Sequence, residues 1–327
     1  MTPDTIQEQL TKYLTDVHSI EQQALAQMRT APKLVADDPE IARAFALHLP
    51  ETEEHERLVR ERLEARDASP SKVKDLIGTL TGKGFGAFAA SQPDTPGKLV
   101  AHAYSYEHME EAAYQLLRTL AERAGDEESV EVAQRIEEQE QAMGRRLEGL
   151  FDEAVRGALR EVSADDVGEQ LNKYLADAHA IEHQALQLLG KAPELAGDPD
   201  LVRAFSEHLS ETERHVQLVE ERLEQRGASS SALKDAAMRL GALNWGAFFA
   251  AQPDTPAKLA AFAYAFEHLE IAGYELLRRV AERAADEQTA LIADRIIGEE
   301  RAAAQLLWSL LPRALDASLQ AQSLPTR

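Results

Sequence analysis

The chain has 327 residues, of which 44% are hydrophobic and 28% are charged, and its formal net charge at pH 7 is −22. This composition is typical of a folded, helix-rich protein, and the acidic balance argues against a nucleic-acid partner, because nucleic-acid binders carry clustered Lys and Arg. The chain contains no cysteine, so disulfides, thiolate metal sites and cysteine catalysis are excluded. Without a leader-like segment or a run of about eighteen apolar residues, we expect a cytoplasmic protein with no membrane partner.

An internal repeat organises the sequence. EQLTKYLTDVHSIEQQAL returns as EQLNKYLADAHAIEHQAL, and RAFALHLPETEEHERLVRERLEAR returns as RAFSEHLSETERHVQLVEERLEQR, each about 160 residues later. AYSYEHMEEAAYQLLRTLAERA returns as AYAFEHLEIAGYELLRRVAERA at the same offset. The repeat predicts two domains, copy one at residues 1–161 and copy two at residues 162–327.

Within each copy, apolar residues recur at intervals of three and four, which predicts helices rather than strands. Copy one is predicted to hold helices at about 4–30, 39–66, 95–124 and 127–158, with a Gly-rich connection and one short helix near 68–94. Copy two is predicted to hold helices at about 165–190, 199–226, 255–284 and 287–311, followed by a fraying tail. Only the connection between the second and third helices is long. The predicted fold is therefore all-α, with two tandem ferritin-like four-helix bundles.

Carboxylates lie within the apolar stripes of these helices. Glu21 is flanked by Val17 and Leu25 at one-turn spacing, although a helical Glu ordinarily faces water. Buried carboxylates need cationic compensation, and Lys and Arg are scarce on these stripes, so the pattern predicts bound metal ions. Oxygen and imidazole ligands without thiolate favour iron or manganese. The predicted ligands are Glu21, Glu51, His55, Glu107, Glu110 and Glu140 in copy one, and Glu182, Glu211, His215, Glu267, Glu270 and Glu300 in copy two.

The segments HLPETEEH and HLSETERH, EHMEEAAY and EHLEIAGY, and HSIEQQAL and HAIEHQAL resemble the YciF/YciE-like stress-protein family of the ferritin-like superfamily, and more distantly the rubrerythrins. The resemblance covers nearly all of each copy and implies two di-metal centres. It implies a stress-defence role in which dioxygen or peroxide is reduced. Because the chain has no cysteine, we expect the electrons to come from an external donor. By position, it implies that Glu21 and His55 are terminal ligands, that Glu51 and Glu140 are bridges, and that Glu107 and Glu110 serve the second metal.

The sequence departs from the ferritin pattern in its nitrogen ligands. Ferritins space the second-helix ligands as Glu-x-x-His, whereas Glu51 and His55 are four residues apart. Met143 stands where a fourth-helix His is expected, and Ala303 takes that place in copy two.

Other histidines lie near the predicted ligands. His18 and its repeat His179 are additional candidates, either as the missing nitrogen ligands or as hydrogen-bonded core histidines. His48 and His208 lie on the same stripe as His55 and are possible ligands as well, but hydrogen bonding to the ligands is the favoured interpretation.

Three functions remain open at the level of sequence. The first is a di-metal oxidoreductase, peroxidase-like or ferroxidase-like, in which two ions about 3.5–4 Å apart reduce dioxygen or peroxide. The second is iron binding and ferroxidation without an organic substrate. The third is a metal-free helical stress or interaction module in which buried Glu and His pair with one another. The sequence also leaves open whether chains form a homo-oligomer.

Overall fold

The computed structural model describes residues 5–69, 95–228 and 254–326. Every regular element in these ranges is a helix. The chain divides into two units, of which the first extends to Ala158 and the second runs from Leu159 to Ala321. The predicted short helix and most of the Gly-rich connection of copy one lie outside the described residues.

The first unit contains α1 (Ile6–Met28), α2 (Ala31–Leu34), α3 (Pro39–Glu64), α4 (Thr95–Ala124), α5 (Glu127–Glu148) and α6 (Phe151–Ala158). Helix α1 begins with a capping box, in which Thr5 and Glu8 each accept a hydrogen bond from the other's backbone N–H. Helices α1 and α5 each pack against both α3 and α4. The four long helices therefore enclose one core, toward which each presents its apolar stripe.

The second unit repeats this arrangement with α7 (Val167–Leu189), α8 (Ala192–Leu195), α9 (Pro199–Gln225), α10 (Thr255–Arg283) and α11 (Glu287–Ala321). Helices α7 and α11 each pack against both α9 and α10. Among the described residues, no helix is long and apolar enough to cross a membrane.

The two copies differ in their last long helix. The predicted helix at 127–158 is interrupted after Glu148, where Gly149 weakens helix propagation and α6 begins only at Phe151. In copy two, α11 continues to Ala321, so the predicted end at 311 and the fraying tail were wrong. The extension is stable because Leu315 and Leu319 are fully buried.

An ion-pair cluster fixes the end of α3 against the start of α5. Asp126 caps α5 by accepting a hydrogen bond from the backbone N–H of Ser129, and it also pairs with Arg62 of α3 and with Arg66, two residues beyond the end of α3. Asp286 pairs in the same way with Arg222 and Arg226 in copy two. The repeated cluster holds equivalent helices in the same register in both copies.

Candidate metal centres

Two histidines and four glutamates converge in the core of the first unit. His48 and His55, seven residues apart, share the buried face of α3. Each of the six side chains belongs to a residue that is at most 1% exposed. The remaining members are Glu21 from α1, Glu107 and Glu110 from α4, and Glu140 from α5.

The two oxygens of Glu140 face different histidines. Oε1 lies 2.8 Å from Nδ1 of His55, and Oε2 lies 3.3 Å from Nε2 of His48. Glu21 completes the first group, with Oε2 3.8 Å from Nδ1 of His55. Glu107 completes the second group, with Oε2 3.3 Å from Nε2 of His48. Each group brings its ligand atoms close enough to hold one metal ion, and Glu140 belongs to both.

Copy two repeats this geometry around Glu300. Its Oε1 lies 2.8 Å from Nδ1 of His215, and its Oε2 lies 3.3 Å from Nε2 of His208. Glu182 approaches His215 at 3.5 Å, and Glu267 approaches His208 at 2.8 Å. Glu270, the equivalent of Glu110, joins the group of His208, Glu267 and Glu300.

Outward-facing acceptors orient the histidine rings. Nε2 of His55 lies 2.9 Å from the side-chain oxygen of Gln139, and Nε2 of His215 lies 2.8 Å from a carboxylate oxygen of Glu299. An acceptor on Nε2 requires the proton to be on that nitrogen, so Nδ1 of the neutral ring carries a lone pair toward the core. Such outer acceptors are a regular feature of metal-binding histidines.

The structure places the predicted ligand Glu51 on the other side of His48 from the core group. Its Oε2 lies 2.9 Å from Nδ1 of His48, and its side chain is 35% exposed. The hydrogen bond from His48 lowers the pKa of Glu51, which keeps this carboxylate an ionised acceptor. Glu211 contacts Nδ1 of His208 in the same way at 3.2 Å. His48 and His208 thus belong to the core groups, while Glu51 and Glu211 contact the ring nitrogens of these histidines that face away from the core.

The other candidate nitrogen ligands also lie outside the core groups. Nε2 of His18 lies 3.0 Å from Oε1 of Glu56, and Nε2 of His179 lies 3.0 Å from Oε1 of Glu220. Among the described residues, the core groups contain only histidines from the second long helix of each copy.

Burial and mutual repulsion make several of these carboxylates hard to ionise without a compensating cation. Burial raises the pKa of Glu21 to about 7 and that of Glu107 to about 8. Burial, together with the charges of Glu140, Glu21 and Glu107, raises the pKa of Glu110 well above its usual range. Glu110 therefore shares its charge environment with members of both groups.

Glu140, which faces both histidines, has a lowered pKa, in contrast to the raised pKa values of Glu21 and Glu107. Burial opposes ionisation of Glu140, but hydrogen bonds from His48 and His55 outweigh it and hold the pKa of this carboxyl well below its usual range. Burial likewise opposes protonation of His55, but Glu140 and Glu21 raise the pKa of this ring to about 9. Protonated histidines therefore compensate part of the negative charge in the metal-free protein.

The donor set fits a pair of metal ions. Both carboxylate oxygens of Glu110 are buried without a hydrogen-bond partner, as are those of Glu270 in copy two. Buried polar atoms are ordinarily satisfied, so these oxygens indicate a missing cationic partner. With the imidazoles neutral, four carboxylates carry the charge that two divalent ions would balance. Oxygen and imidazole donors suit iron or manganese.

A cavity of about 140 Å³ lies beside His208 of copy two, between α9 and α11. His208 and Glu211 supply polar parts of its wall, while Phe205, Ala303 and Leu307 supply apolar parts. Ala303, at the position of the absent fourth-helix His, thus lines a cavity whose wall also includes His208. In copy one the equivalent residue is the larger Met143, which is fully buried.

A family model described as "Domain of unknown function (DUF892)" matches residues 5–160 and, a second time, residues 166–320. The chain belongs to this family. The two DUF892 matches correspond to the two helical units, and each contains one set of the converging Glu and His side chains. No solved structure matches the chain.

Proposed function

We propose that each DUF892 repeat of this chain is a ferritin-like four-helix bundle with a di-metal carboxylate centre, in which iron or manganese reacts with dioxygen or peroxide in stress defence. The observation that carries this proposal is the position of Glu140, which presents one oxygen to each of two histidine-containing groups. Glu300 has the same position in copy two. Inward-facing Glu and His side chains from four helices are the usual ligands of di-metal bundles.

The geometry supports a specific division of ligands. In copy one, Glu21, Nδ1 of His55 and Oε1 of Glu140 would hold one ion. Nε2 of His48, Glu107 and Oε2 of Glu140 would hold the other. The corresponding residues of copy two are Glu182, His215 and Glu300 for one ion, and His208, Glu267 and Glu300 for the other. Glu110 and Glu270 provide the remaining carboxylate of each centre.

Two redox-active ions bound at such a centre would supply electrons for the reduction of dioxygen or peroxide. The residues of the chain prepare the site for this chemistry. Ion binding displaces protons from carboxyls such as Glu107, whose pKa burial raises to about 8, and from the inward nitrogens of the histidines. Because the chain has no cysteine, an external donor must restore the reduced state.

The experiment is metal analysis of the full-length protein combined with anaerobic ferrous titration. We expect about four ions per chain in the wild type and about two in either Glu140→Gln or Glu300→Gln. The double variant should retain none at these centres. Glu138→Gln is the matched control, because Glu138 lies on the same helix as Glu140 but is exposed. Addition of peroxide to the ferrous protein should then oxidise the iron in the wild type and the control.

The outcomes separate the three functions. Repeated reduction of peroxide with an added electron donor supports the oxidoreductase. Oxidation followed by retention of ferric iron, without turnover, supports iron binding and ferroxidation. A wild-type chain that folds fully in chelator and takes up no ferrous or manganous ion at these residues would refute the di-metal proposal, and would favour the metal-free module.

A further inference from the structure

A second group of metal-ligand atoms lies on the surface of copy two, outside the buried centre. It consists of His179 and His183, one turn apart on α7, and Glu220 on α9. The side chain of His179 is 12% exposed, while those of His183 and Glu220 are about half exposed. Water and dissolved ions therefore have direct access to this group.

The three side chains point their ligand atoms at one place. Nε2 of His179 lies 3.1 Å from Nε2 of His183 and 3.0 Å from Oε1 of Glu220, and the remaining distance in the triangle is 4.0 Å. Ligands placed tetrahedrally around zinc, with bonds of about 2.0–2.2 Å, lie about 3.3 Å from one another. The triangle is therefore already close to the size that one such ion requires.

Hydrogen bonds alone do not satisfy this triangle when both rings are neutral. If Nε2 of His179 donates its proton to Glu220, that nitrogen has no lone pair with which to accept a hydrogen bond from His183. Nε2 of His183 can then only accept the single proton on Nε2 of His179, which Glu220 already accepts. Two imidazole nitrogens and a carboxylate oxygen thus converge on a point that one small cation can occupy.

Copy one provides an internal comparison, because it carries different residues at two of the three positions. Gln22 stands in place of His183, and Arg60 stands in place of Glu220. His18 is retained but pairs with Glu56 at 3.0 Å, and Arg60 contacts the same carboxylate oxygen at 3.3 Å. Copy two has Val216 in place of Glu56. In copy one the guanidinium of Arg60 balances the charge of Glu56, whereas in copy two the equivalent of Arg60 is Glu220, a carboxylate that can bind metal.

From this geometry we infer that His179, His183 and Glu220 form a mononuclear site for a divalent transition-metal ion of the zinc type, present in copy two and absent from copy one. Two imidazoles and one carboxylate with an accessible further position are a recognised zinc ligand set. The ligands come from α7 and α9, so the ion also links these two helices. The site is separate from the proposed di-metal centre and does not depend on it.

The test compares zinc binding by the full-length wild type with that by the double variant His183→Gln, Glu220→Arg, which gives copy two the residues of copy one. Equilibrium dialysis should show one zinc ion fewer per chain in the variant. Cobalt, used as a spectroscopic substitute, should lose one set of visible absorption bands in the same variant. Zinc should also raise the melting temperature of the wild type more than that of the variant, because it binds only the folded arrangement.

The reverse exchange provides a second test that does not rely on loss of binding. The triple variant Gln22→His, Glu56→Val, Arg60→Glu should gain one zinc ion in copy one. Equal zinc numbers in the wild type and the copy-two variant, with no gain in the copy-one variant, would overturn the inference. The result is independent of the buried centres: one zinc ion in the wild type and none in the copy-two variant would support this site even if Glu140 and Glu300 bound no metal.

Discussion

The hydroxyl of Tyr114 donates a 2.5 Å hydrogen bond to Oε1 of Glu21. The second carboxylate oxygen of Glu21 is thereby directed toward Nδ1 of His55, at 3.8 Å. Tyr274 and Glu182 form the equivalent bond in copy two, at 2.6 Å. A fully buried tyrosine thus fixes the rotation of the carboxylate that the first long helix contributes to each centre.

Replacing Tyr114 with Phe should weaken metal binding in copy one without abolishing it. The substitution removes the hydroxyl but keeps the ring that fills the core, so the carboxylate of Glu21 becomes free to rotate. We expect affinity for the ion bound by Glu21 and His55 to fall about 10-fold, within the range for loss of an orienting partner. Manganese titration measures the effect, and copy two serves as the unchanged reference. Unaltered affinity would show that Tyr114 only packs in the core.

The positions of Glu51 and Glu140 lead to a second prediction. If Glu51 orients His48, Glu51→Gln should retain both metal ions in copy one but bind the ion at His48 about 10–100-fold more weakly. Glu140→Gln should lose both ions, because its two oxygens face both groups. Metal analysis at saturating and at limiting manganese separates these outcomes. Equal loss of metal from the two variants would instead support the ligand role that the sequence predicted for Glu51.

The sequence reveals the buried carboxylates because a charged residue interrupts an apolar stripe at helical spacing. Glu21 and Glu140 are recognisable in this way, and the structure buries both. The role of His48 is harder to recognise, because on the helix it lies about 20° to one side of His55, while Glu51 lies about 40° to the other side. Spacing alone does not decide which of the two reaches the core. The seven-residue interval between the two histidines was the available signal.

The sequence predicted the C-terminal ends of α5 and α11 less well than the central parts of these helices. A single Gly149 ends α5, although the apolar pattern continues beyond it. In copy two, α11 passes through Pro312 because residues beyond it, including Leu319, gain burial that the local sequence does not show. Tertiary packing thus decides helix length where local preference is weak.

The metal-free protein should lose stability as pH rises. Glu21 has a folded-state pKa of about 7, and Glu107 and Glu267 have values of about 8, compared with an ordinary value of 4.5. The folded state therefore holds more protons than the unfolded state, and this contribution, complete below about pH 4.5, is lost as pH rises through 7 and 8. In the presence of chelator, the urea concentration at which half of the protein is unfolded should be lower at about pH 8.5 than at about pH 6.

Stabilisation by metal should increase with pH, because metal binding displaces protons from the buried carboxyls and these protons are lost more easily at high pH. Stabilisation by manganese should therefore be larger at about pH 8.5 than at about pH 6. The double variant Glu107→Gln, Glu267→Gln removes two of the titrating groups, so its metal-free stability should depend less on pH. A metal-free midpoint that rises with pH in the wild type would contradict the prediction.

The turn before the last long helix of each copy predicts a stabilising substitution. Ala285 has a φ of 54°, whereas the equivalent Gly125 has a φ of 68°. A left-handed conformation costs a non-Gly residue about 1 kcal/mol, and no atom lies within 4 Å of a Cβ built on Gly125, so backbone strain is the main difference. Ala285→Gly should raise the free energy of unfolding of copy two by about 1 kcal/mol, as measured in urea. Gly125→Ala is the matched control and should destabilise copy one by a similar amount.

The cavity beside His208 predicts a difference in peroxide access that Ala303 controls. Ala303→Met gives copy two the residue that copy one carries at Met143, and the longer side chain should fill part of the space of about 140 Å³ between α9 and α11. Ala303 supplies none of the proposed ligands, so metal content should remain unchanged while peroxide oxidises the ferrous centre of copy two more slowly. Stopped-flow absorbance in a Glu140→Gln background isolates copy two. Gln305→Met, at an exposed position of the same helix that does not line the cavity, is the control and should leave the rate unchanged. If Ala303→Met reacts at the unaltered rate, peroxide reaches the centre by another route.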